Sequence, residues 1–178
     1  MTHKNYLFLS LAAVTCGLLL FAYQKEYIII NLGKKLDTYN INAPAQKQNA
    51  TLYYWYQNTW NTEQVSLLFS ENSVSNMQQL VSRWLQLLHE EKITKKKILL
   101  QSAAITYDTQ ELIISFDRMP WNKEISTYEK WMLIESLLKT IKNVDPTIKR
   151  VRLLMNQQQI TDPHLDFTNA WPIEGFII

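Results

Sequence analysis

Cysteine is almost absent from this chain, and glycine is nearly so. The one cysteine, Cys16, lies in an apolar run near the N-terminus, so the polar remainder has neither a disulfide nor a cysteine-built metal site. The three glycines are Gly17, Gly33 and Gly175, far from the middle of the chain. Loops that cradle phosphate need glycine for close backbone approach, so nucleotide-binding motifs of that kind are excluded. An excess of one charge is missing too, because residues 50–178 hold nearly equal numbers of acidic and basic side chains. A phosphate-coating surface needs surplus Lys and Arg, so no nucleic-acid partner is expected. No Gly-x-Ser-x-Gly elbow presents a serine nucleophile.

What the chain does have is an uncharged apolar run from Tyr6 to Tyr23. At about 1.5 Å per residue it reaches about 27 Å as a helix, close to the thickness of a bilayer's hydrocarbon core. A transmembrane helix is the expectation, and with it a partnership with the membrane. Two readings compete with an uncleaved anchor. A signal peptide would be removed, but Leu20-Phe21-Ala22 has Leu where a small residue is wanted. Lipidation at Cys16 would leave the apolar run continuing beyond it. Lys4 and the N-terminal amine precede the run, and Lys25, Lys34 and Lys35 follow it with Glu26 among them, a positive-inside count close to balance or leaning slightly against an inside N-terminus. A very short N-terminus before one span and a large C-terminal part fits a signal anchor. The expectation is a single-pass membrane protein with its C-terminal domain extracytoplasmic.

Three segments follow. Residues 1–23 form the N-terminus and anchor, 24–50 a stalk or linker containing Pro44, and 51–178 one domain with a single core. The domain opens with two extended candidates, Leu52–Tyr56 and Gln64–Phe69, joined by a polar turn over Asn58–Thr62. Met77, Leu80, Val81, Trp84, Leu85 and Leu88 then recur at helical spacing, with Ser73 or Ser75 as the cap. Ile98–Tyr107 and Leu112–Phe116 read as a hairpin. A second helix opens at Ser126 with Glu129 three residues on, and Trp131, Ile134, Leu137, Leu138 and Ile141 make its apolar face. Val151–Met155 is a last strand. The order β-β-α-β-β-α-β, with helices apolar on one side, predicts an α+β fold with both helices on a small sheet.

The order of elements and several phrases resemble the GerMN domain, a family named from bacterial germination and sporulation proteins. The phrases are Thr51-Leu52-Tyr53-Tyr54, Ile105-Thr106-Tyr107-Asp108 leading to Leu112–Phe116, Glu135–Thr140, Val151–Leu154 and the tail Asp166–Pro172. The resemblance covers about residues 50–175. Two positions depart from it. His89-Glu90-Glu91-Lys92 replaces the glycine usual after the first helix, and Gln110 stands in a turn where glycine is common. The resemblance implies a non-catalytic module of the cell envelope that assembles with itself or another envelope protein, with no cofactor.

Several residues invite a chemical role. Tyr53, Trp55 and Trp60, with Tyr56, form an aromatic group suited to a sugar ring or a partner surface. Alternation buries half of these rings, and no Arg or Lys lies close to them in sequence. A ligand-binding domain, with glycan as its ligand, is the alternative that they carry. His164 with Asp162 and Asp166 is a His–carboxylate cluster, but a metal needs three or four ligands. A hydrogen-bonding role that fixes the tail is the expectation there. His89-Glu90-Glu91 lacks the HExxH spacing and fits a helix C-terminus. Lys92 and Lys95–Lys97 form a basic loop that anionic headgroups would attract, or a solvated turn. No catalytic residue and no metal ligand is assigned.

Overall fold

The structure is a computed structural model, and it describes residues 45–108, 110–121 and 125–175. The expected transmembrane segment Tyr6–Tyr23 and most of the stalk lie outside the described residues. Among those described, no helix is long and apolar enough to cross a membrane.

The domain is α+β, with two helices and two sheets. In chain order it runs β1 (Gln46–Tyr56), β2 (Thr59–Phe69), α1 (Ser73–Glu90), β3 (Leu100–Thr106) and β4 (Glu111–Phe116). Then come α2 (Thr127–Val144), β5 (Arg150–Met155), β6 (Gln158–Gln159) and β7 (Trp171–Pro172). The first seven elements keep the expected order. The single small sheet does not hold, because among the described residues β1 and β2 pair only with each other, and β3-β4-β5-β6 form a second sheet with β7 on β5. β4 and β5 run parallel across α2, and the other pairs are antiparallel.

The reason for two sheets is visible at Tyr53. Its N–H and C=O point away from β2, where a strand of the same sheet would continue the ladder. Side chains from both helices take them instead. Tyr53 N–H donates to Thr140 Oγ1 at 2.9 Å, and Trp84 Nε1 donates to Tyr53 O at 2.9 Å. The edge of β1 is thus closed by helices rather than by β-structure. Thr140 in turn donates to Ser136 O, so the buried hydroxyl is satisfied twice over.

The β1–β2 hairpin is longer than the aromatic run implied. β1 begins at Gln46, inside the segment read as a stalk, and the turn is only Gln57-Asn58. Both turn residues have positive φ, 51° and 59°, the twist a two-residue hairpin needs. Asn58–Thr62 is therefore mostly strand, not loop.

The face expected for α1 is buried in full, together with Leu87. Its cap is Asn72, whose side chain accepts from Ser75 N–H, rather than Ser73 or Ser75. The capping box Ser126–Glu129 on α2 is present in both directions. On α2 one residue of the expected face is misplaced. Trp131 is 38% exposed, whereas its neighbour Lys130 is buried at 1%. Lys130 goes inward because an acidic partner waits there. Ile134, Leu137, Leu138 and Ile141 are buried as expected, against Phe116, Leu153 and the rest of the core.

Both positions where the resemblance leads one to expect glycine keep a glycine-like backbone without glycine. Lys92 follows α1 at φ 58°, with Ile93 N–H returning to Leu88 O at 2.9 Å, and Gln110 has φ 50°. A side chain in this left-handed region costs about 1–2 kcal/mol, and glycine gives back about 0.5–1 kcal/mol of that in the unfolded chain. Lys92→Gly should therefore raise stability by about 0.5–1 kcal/mol in urea melts, since Lys92 is exposed. A loss of stability would show that the Lys92 side chain holds the loop.

Candidate functional site

β-Pairing places Trp55 directly opposite Trp60 at the end of the first hairpin. Their rings meet edge to face, with centroids 5.2 Å apart at 72°. Trp55 also meets Tyr128, from the first turn of α2, at 6.1 Å and 84°. Lys139 Nζ, also from α2, sits 3.8 Å over the Trp60 ring. The negative ring face attracts the ammonium, a contact worth about 0.5–1 kcal/mol at an exposed site. A hollow of about 470 Å³ adjoins these residues, lined by Tyr53, Trp60, Thr62, Lys139, Lys142 and Asn143. Lys142 is held by an ion pair to Glu174. Tyr56, Trp60, Tyr128 and Trp131 are each more than a third exposed. Apart from Tyr107 after β3, the exposed aromatics of the described residues lie on the hairpin end and on the first turns of α2.

The His–carboxylate cluster has a different character. The Asp162 side chain is 4% exposed, and its carboxylate accepts from four groups. Lys130 Nζ lies at 2.7 Å and Trp121 Nε1 at 3.2 Å on one oxygen. The N–H groups of His164 and Leu165 lie at 2.9 and 3.2 Å on the other. Burial alone would raise this carboxyl. The hydrogen bonds from Lys130, the His164 N–H and Trp121 outweigh burial and hold it below the ordinary carboxylate range. The His164 ring stands at the edge, with Nδ1 3.5 Å from Lys130 Nζ and 3.9 Å from Asp162. Asp166 is engaged by the Thr168 N–H within its own turn. A carboxylate with every lone-pair direction occupied pins the tail to α2. Among the described residues, no group of three His, Cys, Asp or Glu is placed to hold a metal ion.

His89-Glu90-Glu91 is also structural in its contacts. Glu90 accepts from Arg83 at 2.8 Å and Gln86 at 2.7 Å, and Arg83 reaches on to Glu63 of β2 at 2.6 Å. The Arg83 and Gln86 hydrogen bonds hold Glu90 below its ordinary range. The lysine loop borders an apolar groove of about 600 Å³, with Ile93, Thr94, Ile98, Met119, Trp121 and Ile125 in its lining. Lys95 and Lys96 stand exposed at its rim.

No family model and no curated protein matches this chain. Solved structures similar to it include the following two. One is the crystal structure of a candidate lipoprotein from Clostridium perfringens, 16% identical, with a TM-score of 0.39, over 72% of this chain and 89% of that one. The other is the tandem GerMN domains of the sporulation protein GerM from Bacillus subtilis. It is 11% identical, with a TM-score of 0.46, over 78% of this chain and 49% of that one. The chain thus spans about half the length of the GerM structure. Identity at this level carries no residue's role from either protein to this one.

Two groups at these sites escaped the sequence. Lys139 supplies the cation beside Trp60 from a helix far along the chain, and only its place three helical turns after Tyr128, on the same side, hinted at it. Lys130 had no visible signal, because its partner Asp162 lies in irregular chain.

Proposed function

We propose that this protein is a membrane-anchored, extracytoplasmic, GerMN-like module of the cell envelope, non-catalytic, that works by docking another envelope protein or a second copy of itself. The observation that carries the reading is the aromatic cluster at the hairpin end, half-buried at Trp55 and exposed at Trp60 and Tyr128, with Lys139 beside it. Trp and Tyr dominate binding energy at protein interfaces because each buries a large rigid area and keeps a polar tip. The anchor reading rests on the apolar run Tyr6–Tyr23, and the family reading on the element order and the quoted phrases. The hollow beside Tyr53, Trp60, Lys139 and Lys142 supports the second reading, a ligand such as a glycan bound by the same aromatics.

The two separate in one experiment on the full chain in its own membrane. A photo-reactive residue in place of Tyr128 should give adducts with a protein, and Trp55→Ala should reduce them about tenfold or more, the loss of an aromatic hot spot. If irradiation yields no protein adduct while the detergent-purified chain retains cell-wall glycan fragments, docking fails and the ligand reading replaces it.

A further inference from the structure

β2 is an edge strand without the usual protection. It runs eleven residues, and its register against β1 is unbroken from Tyr56↔Thr59 to Gln46↔Phe69, with no bulge. No strand among the described residues pairs with its outer edge. Natural edges are blunted by shortness, by proline, by lysine, by a bulge, by an inward-pointing charge left unneutralised, or by a covering helix. β2 has no proline and no basic residue, and its one charged side chain, Glu63, is tied to Arg83 of α1 at 2.6 Å. The other free-edge candidate, β3, is shorter and carries a register irregularity between Leu100 and Ser102. Trp60, Thr62, Gln64, Ser66 and Leu68 are exposed along β2, and none is charged.

Alternate residues of β2 send their N–H and C=O groups to the unpaired edge. The two-residue turn makes Tyr56 and Thr59 a hydrogen-bonded pair, so the odd-numbered residues of β2 bond to β1. The even-numbered ones, Trp60 to Leu68, point outward. Their centre is Gln64, which is also the midpoint of the strand. We propose that β2 pairs antiparallel with β2 of a second copy about a two-fold axis at Gln64, joining two hairpins into one four-stranded sheet.

The chemistry of that register argues for a second copy as occupant. Trp60 falls opposite Leu68, Thr62 opposite Ser66, and Gln64 opposite its own counterpart. These are an apolar pair, a hydroxyl pair and an amide pair, all favourable across strands. On the inner face, Glu63 meets Val65, so the only charge on the strand never faces itself. An isologous contact requires this kind of self-complementarity. Five outward residues on each strand would form up to about ten main-chain hydrogen bonds. The inference deepens the docking reading and rests on it in one respect: anchoring in a common membrane raises the local concentration of the copies.

The two-fold axis makes the test sharp. In a Cys16→Ser background, Gln64→Cys places one cysteine opposite itself across a hydrogen-bonded pair. The Cα atoms would lie about 5.5 Å apart, inside the disulfide range. Mild oxidation of the full chain in membranes should give mostly disulfide-linked dimer. Ser66→Cys alone, which falls opposite Thr62, should give at least about tenfold less, and Thr62→Cys with Ser66→Cys should restore it. Gln64→Lys, which sets like charges face to face on the axis, should lower the dimer fraction of the detergent-purified chain about tenfold or more. Equal disulfide yields from Gln64→Cys and Ser66→Cys, or a dimer fraction unmoved by Gln64→Lys, would overturn strand pairing. If protein adducts at the Tyr128 position persist in that event, the docking reading stands without it; if they are absent as well, both fall.

Discussion

Asp162→Ala is expected to lower stability by about 3–5 kcal/mol, because it leaves a buried ammonium without its counter-ion. The Lys130 side chain is 1% exposed and that of Asp162 4%, and their contact is 2.7 Å. The same change unpairs Trp121 Nε1 and the N–H groups of His164 and Leu165. Replacing both ions together, Lys130→Met with Asp162→Leu, should recover most of the loss, since a packed apolar pair avoids desolvating two charges. The pH dependence has a definite sign. The Asp162 carboxyl is depressed in the folded state, so its contribution is fully present above the ordinary carboxylate pKa. It is lost as pH falls through the folded value. The wild-type chain should therefore weaken below about pH 4, and Asp162→Ala should weaken less steeply there. Urea melts across pH 2–7 would measure both. A change under about 1 kcal/mol at neutral pH would mean that Lys130 reaches water and the pair is not a structural pin.

The parts of this fold that the residues announced are those set by local periodicity. α1 was legible because six apolar residues at helical spacing all face the core. The start of α2 was legible because Ser126 and Glu129 satisfy each other's orphan donors within one turn. The division into two sheets was not. It depends on Thr140 and Trp84, each from a different helix, reaching the same residue, Tyr53. No local pattern encodes that meeting. Trp131 and Lys130 exchanged their expected places for a similar reason, since hydropathy ranks tryptophan inside and lysine outside until a buried aspartate is supplied from elsewhere. The aromatic group at Tyr53, Trp55 and Trp60 was visible as composition, but its lysine arrived from α2. The turn at Gln57-Asn58 was hidden because its positive φ values are carried without glycine.

The second large effect is expected at Trp84, where both sheets and both helices meet. Trp84 is 1% exposed. It lines, with Phe116 of β4, Ile134 and Leu137 of α2 and Leu153 of β5, a void of only about 10 Å³. Its ring therefore fills the space between the second sheet and α2, while its Nε1 closes the edge of the first sheet at Tyr53 O. Trp84→Ala should cost about 3–5 kcal/mol, as the surrounding elements can collapse only partly onto the cavity. Trp84→Phe separates the two contributions. It keeps most of the apolar contact but leaves a main-chain carbonyl unpaired, a cost of about 1–3 kcal/mol. Hydrogen exchange then reports where the damage lies. If Trp84 ties the hairpin to the rest, amides of β1 and β2 should lose protection in Trp84→Phe before those of β4 and β5. Uniform loss across both sheets would show that the hairpin and the second sheet unfold as one unit, with Trp84 acting only as core volume.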